Sequence, residues 1–139
     1  MEQQDSVGGR VAVWAQWVLL VAYLLGSLGV LLFAVAQTGD AGALLDPGLE
    51  RLGDPKDSLP DSVWNPLAWL LGISRVVAML VVVVAPVALL LGLVAVAGSR
   101  RVGDRKVFRW SLAGTAAWLL VLVVALTPYG RQMTTWLLD

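Results

Sequence analysis

Residues 76–97 read "VVAMLVVVVAPVALLLGLVAVA", a run with no charged or strongly polar side chain. A helix rises about 1.5 Å per residue, so one of this length crosses the roughly 30 Å hydrocarbon layer of a bilayer. A soluble amphipathic helix would show polar residues at the 3.6-residue period, and this run has none. The run therefore predicts a membrane-spanning helix.

Two further uncharged runs, 11–39 and 110–130, flank the first. The chain is 58% hydrophobic and 14% charged, whereas soluble domains are about half apolar and a quarter charged. We predict an all-α integral membrane protein with a single domain over 1–139. Its spans are expected at about 14–37, 67–98 and 109–128, with the second and third forming an antiparallel hairpin. Residues 38–65 form an acidic loop outside the cytoplasm and residues 99–108 a basic loop inside it.

Charge in the two loops predicts this orientation. Five cations stand between the second and third runs against one carboxylate, Asp104: Arg100, Arg101, Arg105, Lys106 and Arg109. Residues 38–65 carry two cations, Arg51 and Lys56, and six carboxylates: Asp40, Asp46, Glu50, Asp54, Asp57 and Asp61. Because Lys and Arg are retained on the cytoplasmic side, we predict a multi-pass protein of the cytoplasmic membrane with its N-terminus inside and its C-terminus outside. A specific site for nucleic acid or an acidic partner is the second interpretation of the basic turn, although nucleic acid is not expected.

The residue types available for chemistry are few. The chain has no Cys and no His, which excludes disulfides, Cys/His metal sites, His-ligated haem and imidazole-dependent triads. No predicted span contains the Asp, Glu, His or Lys that a proton relay needs. Arg75, at a membrane edge, is expected to reach the headgroups or to pair with a carboxylate such as Asp61. We predict no catalytic residue, cofactor, metal site or small-molecule substrate.

Small residues in the second span recur at steps of three and four, with the larger Val81 filling the one position between Ala78 and Ala85: Ser74, Ala78, Ala85, Ala88, Gly92, Ala95 and Ser99. Such a stripe lets another helix approach closely, at a crossing angle of about +20°, and so predicts a helix-packing seam. The first span adds Ala22, Gly26, Gly29 and Ala34. Pro86 lacks a backbone N–H and predicts a kink.

Turn signals organise the remaining segments. Asp46-Pro47, Asp54-Pro55 and Asn65-Pro66 each offer a helix N-cap followed by proline, and Gly53 would stop the first of these helices. An unbroken helix over 66–98 would be about 50 Å long and would project Trp69 and Leu70 as a partner surface. Near the C-terminus, Met133, Trp136 and Leu137 have helical spacing, which predicts a short helix lying on the outer membrane face.

A small-x-small site, "AVAQ" at 34–37, follows the first apolar run. Cleavage after Ala36 would leave an acidic segment and two apolar helices joined by "SRRVGDRK" at 99–106. That layout, over residues 37–130, resembles the pilins of conjugative type IV secretion systems. The resemblance implies a polymer of packed helical hairpins with the turn from Arg100 to Lys106 facing the lumen.

These features favour a small non-catalytic membrane protein that acts by helix–helix association with the bilayer as its surroundings. It would work as a homo-oligomer or as an accessory or structural subunit beside other membrane subunits. The pilin-like subunit is the first alternative. A holin-like membrane permeabiliser is the second, because small three-span chains with few polar groups serve that role.

Overall fold

A computed structural model describes residues 2–60 and 62–139, with the backbone alone for Glu2, Gln3, Asp5 and Ser6. Over these residues the chain is all-α, as predicted, and no strand is present in them. The helices are α1 (Glu2–Leu24), α2 (Val30–Thr38), α3 (Leu49–Leu52), α4 (Pro66–Met79), α5 (Val81–Val102), α6 (Arg105–Leu126) and α7 (Pro128–Leu138). A π-helical turn (Leu25–Gly29) joins α1 to α2, and a 3₁₀ turn (Ala41–Leu44) follows α2.

Three helical segments are long and apolar enough to cross a membrane: Val7–Thr38, Val81–Val102 and Arg105–Leu126. The prediction of three helices that are long and apolar enough to span a membrane is confirmed, and this pattern is typical of a multi-pass membrane protein. The boundaries of the second span differ from those predicted, because the helix expected over 67–98 is interrupted at Leu80 (φ −91°, ψ 19°). Its first part, α4, has 14 residues, which at about 1.5 Å each is too short to cross. The predicted kink site, Pro86, lies within α5, which stays helical through it.

The chain forms two compact units. The first comprises Met1–Val21 and Val82–Val123, and so holds most of α1, α5 and α6. Its interior has small residues of α5 together with Trp118 and Val121 of α6, all buried.

Two residues join α5 to α6 in this unit. Gly103 has φ 74°, a left-handed conformation that glycine adopts without steric cost. The next N–H, of Asp104, donates to the carbonyl of Ser99 at 3.1 Å, which is the Schellman closure of a helix C-terminus. The Asp104 carboxylate then accepts from the N–H groups of Lys106 and Val107, both at 3.1 Å, and so caps α6.

The second unit comprises Ala22–Val81 and Val124–Asp139. Its core draws on α2, the loop after it, α4 and α7: Val30, Leu31, Ala34, Ala43, Leu52, Ala78, Met133, Trp136 and Leu137. The predicted surface helix near the C-terminus exists as α7, but its apolar residues face this core rather than lipid. Met133, Trp136 and Leu137 are at most 5% exposed, because loop residues of the same unit cover them.

Of the helix boundaries predicted in the loop, those at Asn65 and Gly53 are present in the second unit, whereas those at Asp46 and Asp54 are not. The Asn65 side chain accepts from the N–H of Leu67 at 3.0 Å and starts α4 with Pro66 at its first position. Gly53, with φ 70°, ends α3. This helix begins after Gly48 rather than at Asp46, and the Asp54-Pro55 pair forms a turn instead of a helix.

Close approach in the second unit depends on a glycine of the π-helical turn. Gly26 is buried against the backbone of Ser74, so that a Cβ at residue 26 would overlap the Ser74 carbonyl. This contact brings a small residue of the first span against a small residue of the predicted seam. Small residues allow helices in membranes to approach in this way.

Candidate functional site

A buried amide lies inside the first unit. The Gln16 side chain, on α1, is fully buried. Its Nε2 donates to the carbonyl of Ala88 on α5 at 3.1 Å and to the hydroxyl of Thr115 on α6 at 3.3 Å. One amide of α1 therefore bonds to both of the other helical segments, and we call Gln16, Ala88, Gly92, Gly114 and Thr115 the amide centre.

Two glycines make room for this amide. A Cβ at Gly92 would overlap the Thr115 hydroxyl and the Gln16 Nε2, and a Cβ at Gly114 would overlap the Gln16 Oε1. Gly92 belongs to the predicted seam, and its role here is to accommodate a polar side chain as well as a helix. The amide centre is thus shaped around the volume of Gln16.

The Oε1 atom of Gln16 is buried and accepts no hydrogen bond from the part of the chain that the structure describes. A buried acceptor without a donor costs about 1–3 kcal/mol. The Nε2 atom of this amide is therefore hydrogen-bonded, whereas its Oε1 atom is buried without a donor.

Two indoles tie α1 to α6 beside the amide centre. The Trp118 Nε1 donates to the backbone carbonyl of Gln16 at 3.0 Å, and Trp118 is fully buried. About two turns nearer the start of α6, the Trp17 Nε1 donates to the carbonyl of Trp110 at 3.2 Å. The rings of Trp17 and Trp110 meet edge to face with centroids 5.5 Å apart, a favourable aromatic geometry.

Gln16 is not among the residues predicted from the sequence, because those in the spans were selected as ionisable groups or small residues. Gln16 also lies between Trp14 and Trp17 in the sequence, and tryptophans beside a polar residue are typical of a membrane interface. The available signal was that Gln16 is polar at a position enclosed by apolar residues on both sides.

All seven residues of the predicted seam are buried. Ser74 and Ala78 lie in the interior of the second unit, and the other five lie in that of the first: Ala85, Ala88, Gly92, Ala95 and Ser99. Two of them, Ala88 and Gly92, belong to the amide centre. Since these residues are covered by the chain itself, they are not open to a second molecule.

Arg75 is buried in the second unit, 7% exposed. Its Nε and Nη2 both donate to the carbonyl of Leu137, at 3.0 and 2.5 Å. The last carbonyls of a helix lack intrahelical partners, and a cation there also interacts favourably with the helix dipole. Arg75 therefore fixes the end of α7 rather than reaching the headgroups, while its predicted partner Asp61 lies outside the described residues.

Further hydrogen bonds hold α7 to the loop of the second unit. The Trp136 Nε1 donates to the carbonyl of Gly53 at 3.0 Å, and the Tyr129 hydroxyl donates to that of Leu44 at 2.9 Å. Burial raises the pKa of Tyr129 above its usual value of about 10, so this hydroxyl stays a donor further into the alkaline range. The Lys56 ammonium adds a bond to the carbonyl of Asp139 at 2.7 Å.

The predicted basic turn is solvent-accessible in the first unit: Arg100, Arg101, Arg105, Lys106 and Arg109 are all exposed. The Arg100 guanidinium lies 5.3 Å from the centroid of the Phe108 ring, a cation–π distance. Asp104 faces Arg10, with its Oδ2 3.9 Å from the Arg10 Nη2. Among the described residues, no cluster of three or more His, Cys, Asp or Glu side chains is placed to hold a metal ion.

Comparison with known proteins finds no matching family model, no matching curated protein and no matching solved structure.

The amide centre makes a prediction about Gln16→Met. Methionine has a similar volume and removes the buried acceptor that lacks a donor, and the Thr115 hydroxyl keeps its bond to the Ser111 carbonyl. Hydrogen bonds between membrane helices contribute only about 0.6 kcal/mol on average. We therefore expect the free energy of unfolding, measured in mixed micelles of dodecyl maltoside and SDS, to be unchanged or higher by up to about 2 kcal/mol.

Gln16→Ala is the matched control, because it leaves a cavity and should lower the free energy of unfolding by about 2 kcal/mol or more. Equal losses in Gln16→Met and Gln16→Ala would show that the amide hydrogen bonds outweigh the unpaired oxygen, contrary to this expectation.

Arg75→Gln is expected to loosen α7. Hydrogen bonds from a charged donor contribute about 1.5–3 kcal/mol, so amide hydrogen exchange in residues 128–138 should accelerate about 10- to 100-fold. Arg131→Gln, at an exposed position of the same helix, serves as the control and should leave the exchange rates unchanged. Equal exchange in both variants would contradict the assigned role of Arg75.

Proposed function

We propose that the chain is a non-catalytic integral membrane protein that acts by helix–helix association, as an oligomer or as an accessory subunit of a larger membrane complex. The proposal is supported by one surface of α4, which the chain leaves open. Ala68 and Gly72 form a small-xxx-small step there, the spacing that lets helices pack closely in membranes. A Cβ at Gly72 would meet no atom within 4 Å.

Large apolar side chains flank this step. Trp69 and Ile73 are 59% and 61% exposed, and with Ala68, Gly72 and Val76 they line an open groove of about 420 Å³. The Trp69 Nε1 donates to the carbonyl of Val63 at 2.8 Å, which fixes the indole at the groove. We name Ala68, Trp69, Gly72, Ile73 and Val76 the α4 groove, and we propose it as the association surface in place of the buried seam.

The orientation is a further part of the proposal. We infer an antiparallel hairpin of α5 and α6 with the basic turn in the cytoplasm, the acidic loop outside, the N-terminus inside and the C-terminus outside, in the cytoplasmic membrane. The exposed cations of the turn support this placement through the positive-inside rule.

The α4 groove can be tested with two glycine substitutions. Gly72→Leu would fill the groove, whereas Gly98→Leu adds the same side chain to α5, where a Cβ also meets no atom within 4 Å. At both positions the added Cβ would lie clear of the rest of the chain. We expect Gly72→Leu to weaken association at least tenfold, measured as oligomer or co-purified complex after extraction in mild detergent, and Gly98→Leu to preserve it.

A wild-type chain that is monomeric and carries no stoichiometric partner would contradict the proposed function. Association that survives Gly72→Leu would contradict the α4 groove alone. The intact mass from the same preparation tests the pilin-like alternative, because that alternative requires cleavage after Ala36. This residue lies within α2.

Orientation can be measured by cysteine labelling, since the native chain has no cysteine. We expect Val102→Cys, in the basic turn, to react with a membrane-impermeant maleimide only after cells are permeabilised. Asp57→Cys, at an exposed position of the acidic loop, should react in intact cells. The opposite pattern would reverse the proposed topology.

A further inference from the structure

Three exposed cations at the start of α6 share a groove with an indole. Arg105, Lys106, Arg109 and Trp110 line an open groove of about 300 Å³ in the first unit. No carboxylate is among the described residues that line it, and the neighbouring Asp104 is engaged in capping α6 and in facing Arg10. The groove therefore presents positive charge without an internal counter-ion.

An apolar strip continues from this groove along α6. Arg105 and Arg109 are followed at helical spacing by Ala113, Ala116 and Leu120, all exposed, so that these residues share one face. The side chains of the two alanines are small, so this part of the strip leaves room for an acyl chain to lie against the helix. Trp110, itself 52% exposed, lies between the cations and the strip, at the position that indoles favour at a membrane interface.

We propose that this groove binds the phosphate of an anionic phospholipid, with an acyl chain along the strip from Ala113 to Leu120. Guanidinium groups match phosphate oxygens through paired N–H donors. The negative charge of the phosphate complements the three cations. The apolar strip favours a lipid because an acyl chain can lie along it. A nucleic acid or an acidic protein would use the cations and leave the strip without a role.

The experiment uses the full chain in nanodiscs that contain equal amounts of phosphatidylglycerol and phosphatidylcholine, with native mass spectrometry of the lipids that stay bound on release. The wild type should retain phosphatidylglycerol over phosphatidylcholine. Each neutralised cation should lower this preference about fivefold, so Arg109→Gln gives a measurable loss and the variant with Arg105→Gln, Lys106→Gln and Arg109→Gln abolishes it.

The matched control neutralises the other two cations of the turn, Arg100→Gln and Arg101→Gln, which do not line the groove. This control should keep most of the preference. An equal loss in the control and in the groove variant would show diffuse electrostatic attraction and overturn the site, as would full retention by the groove variant.

A second variant separates a lipid from a free anion. Ala113→Phe together with Ala116→Phe obstructs the strip and leaves every cation in place, so it should reduce phosphatidylglycerol retention severalfold. Unchanged retention in this variant would overturn the acyl contact. Displacement of the lipid by inorganic phosphate, or by a single-stranded oligonucleotide at equal concentration, would overturn the assignment of the groove to a phospholipid.

Discussion

Hydrocarbon offers no hydrogen bonds, and this constraint determines most of the structure. Backbone N–H and C=O groups within a bilayer have to pair inside their own segment, which makes helices the economical solution for an isolated chain. The three segments that are long and apolar enough to span are helical along their lengths. Where helices end near other elements, side chains complete the pairing, as Asp104 does for α6 and Arg75 for α7.

The same constraint explains why the helices of the first unit pack closely together. Without water to expel, helices in lipid associate through close contact and interhelical hydrogen bonds. Gly92 and Gly114 allow the close contact, and Gln16 provides the hydrogen bonds. The unpaired Oε1 of Gln16 shows that the arrangement is a compromise between the volume of an amide and the directions of its hydrogen bonds.

The three spans could be predicted because length and the absence of charge are sufficient to identify them, and Asn65 and Gly53 could be predicted as helix boundaries from capping chemistry. The break at Leu80 could not, since neither proline nor glycine marks it. The face of α7 was ambiguous for another reason: Met133, Trp136 and Leu137 suit a lipid surface and a protein core equally well. Gln16 could not be predicted because the free-energy cost of placing an uncharged amide in hydrocarbon is smaller than that of a charge, so one glutamine in an apolar run does not indicate a site.

The core of the second unit joins Val30 and Leu31 to Trp136 and Leu137, residues separated by about a hundred positions in the chain. During biosynthesis, the earlier residues leave the ribosome long before the later ones. Arg75, Val30 and Leu31 are thus synthesised well before α7, the helix that packs on them. The core of this unit can therefore be completed only after α7 has been synthesised, and until then the residues that it covers lack that helix.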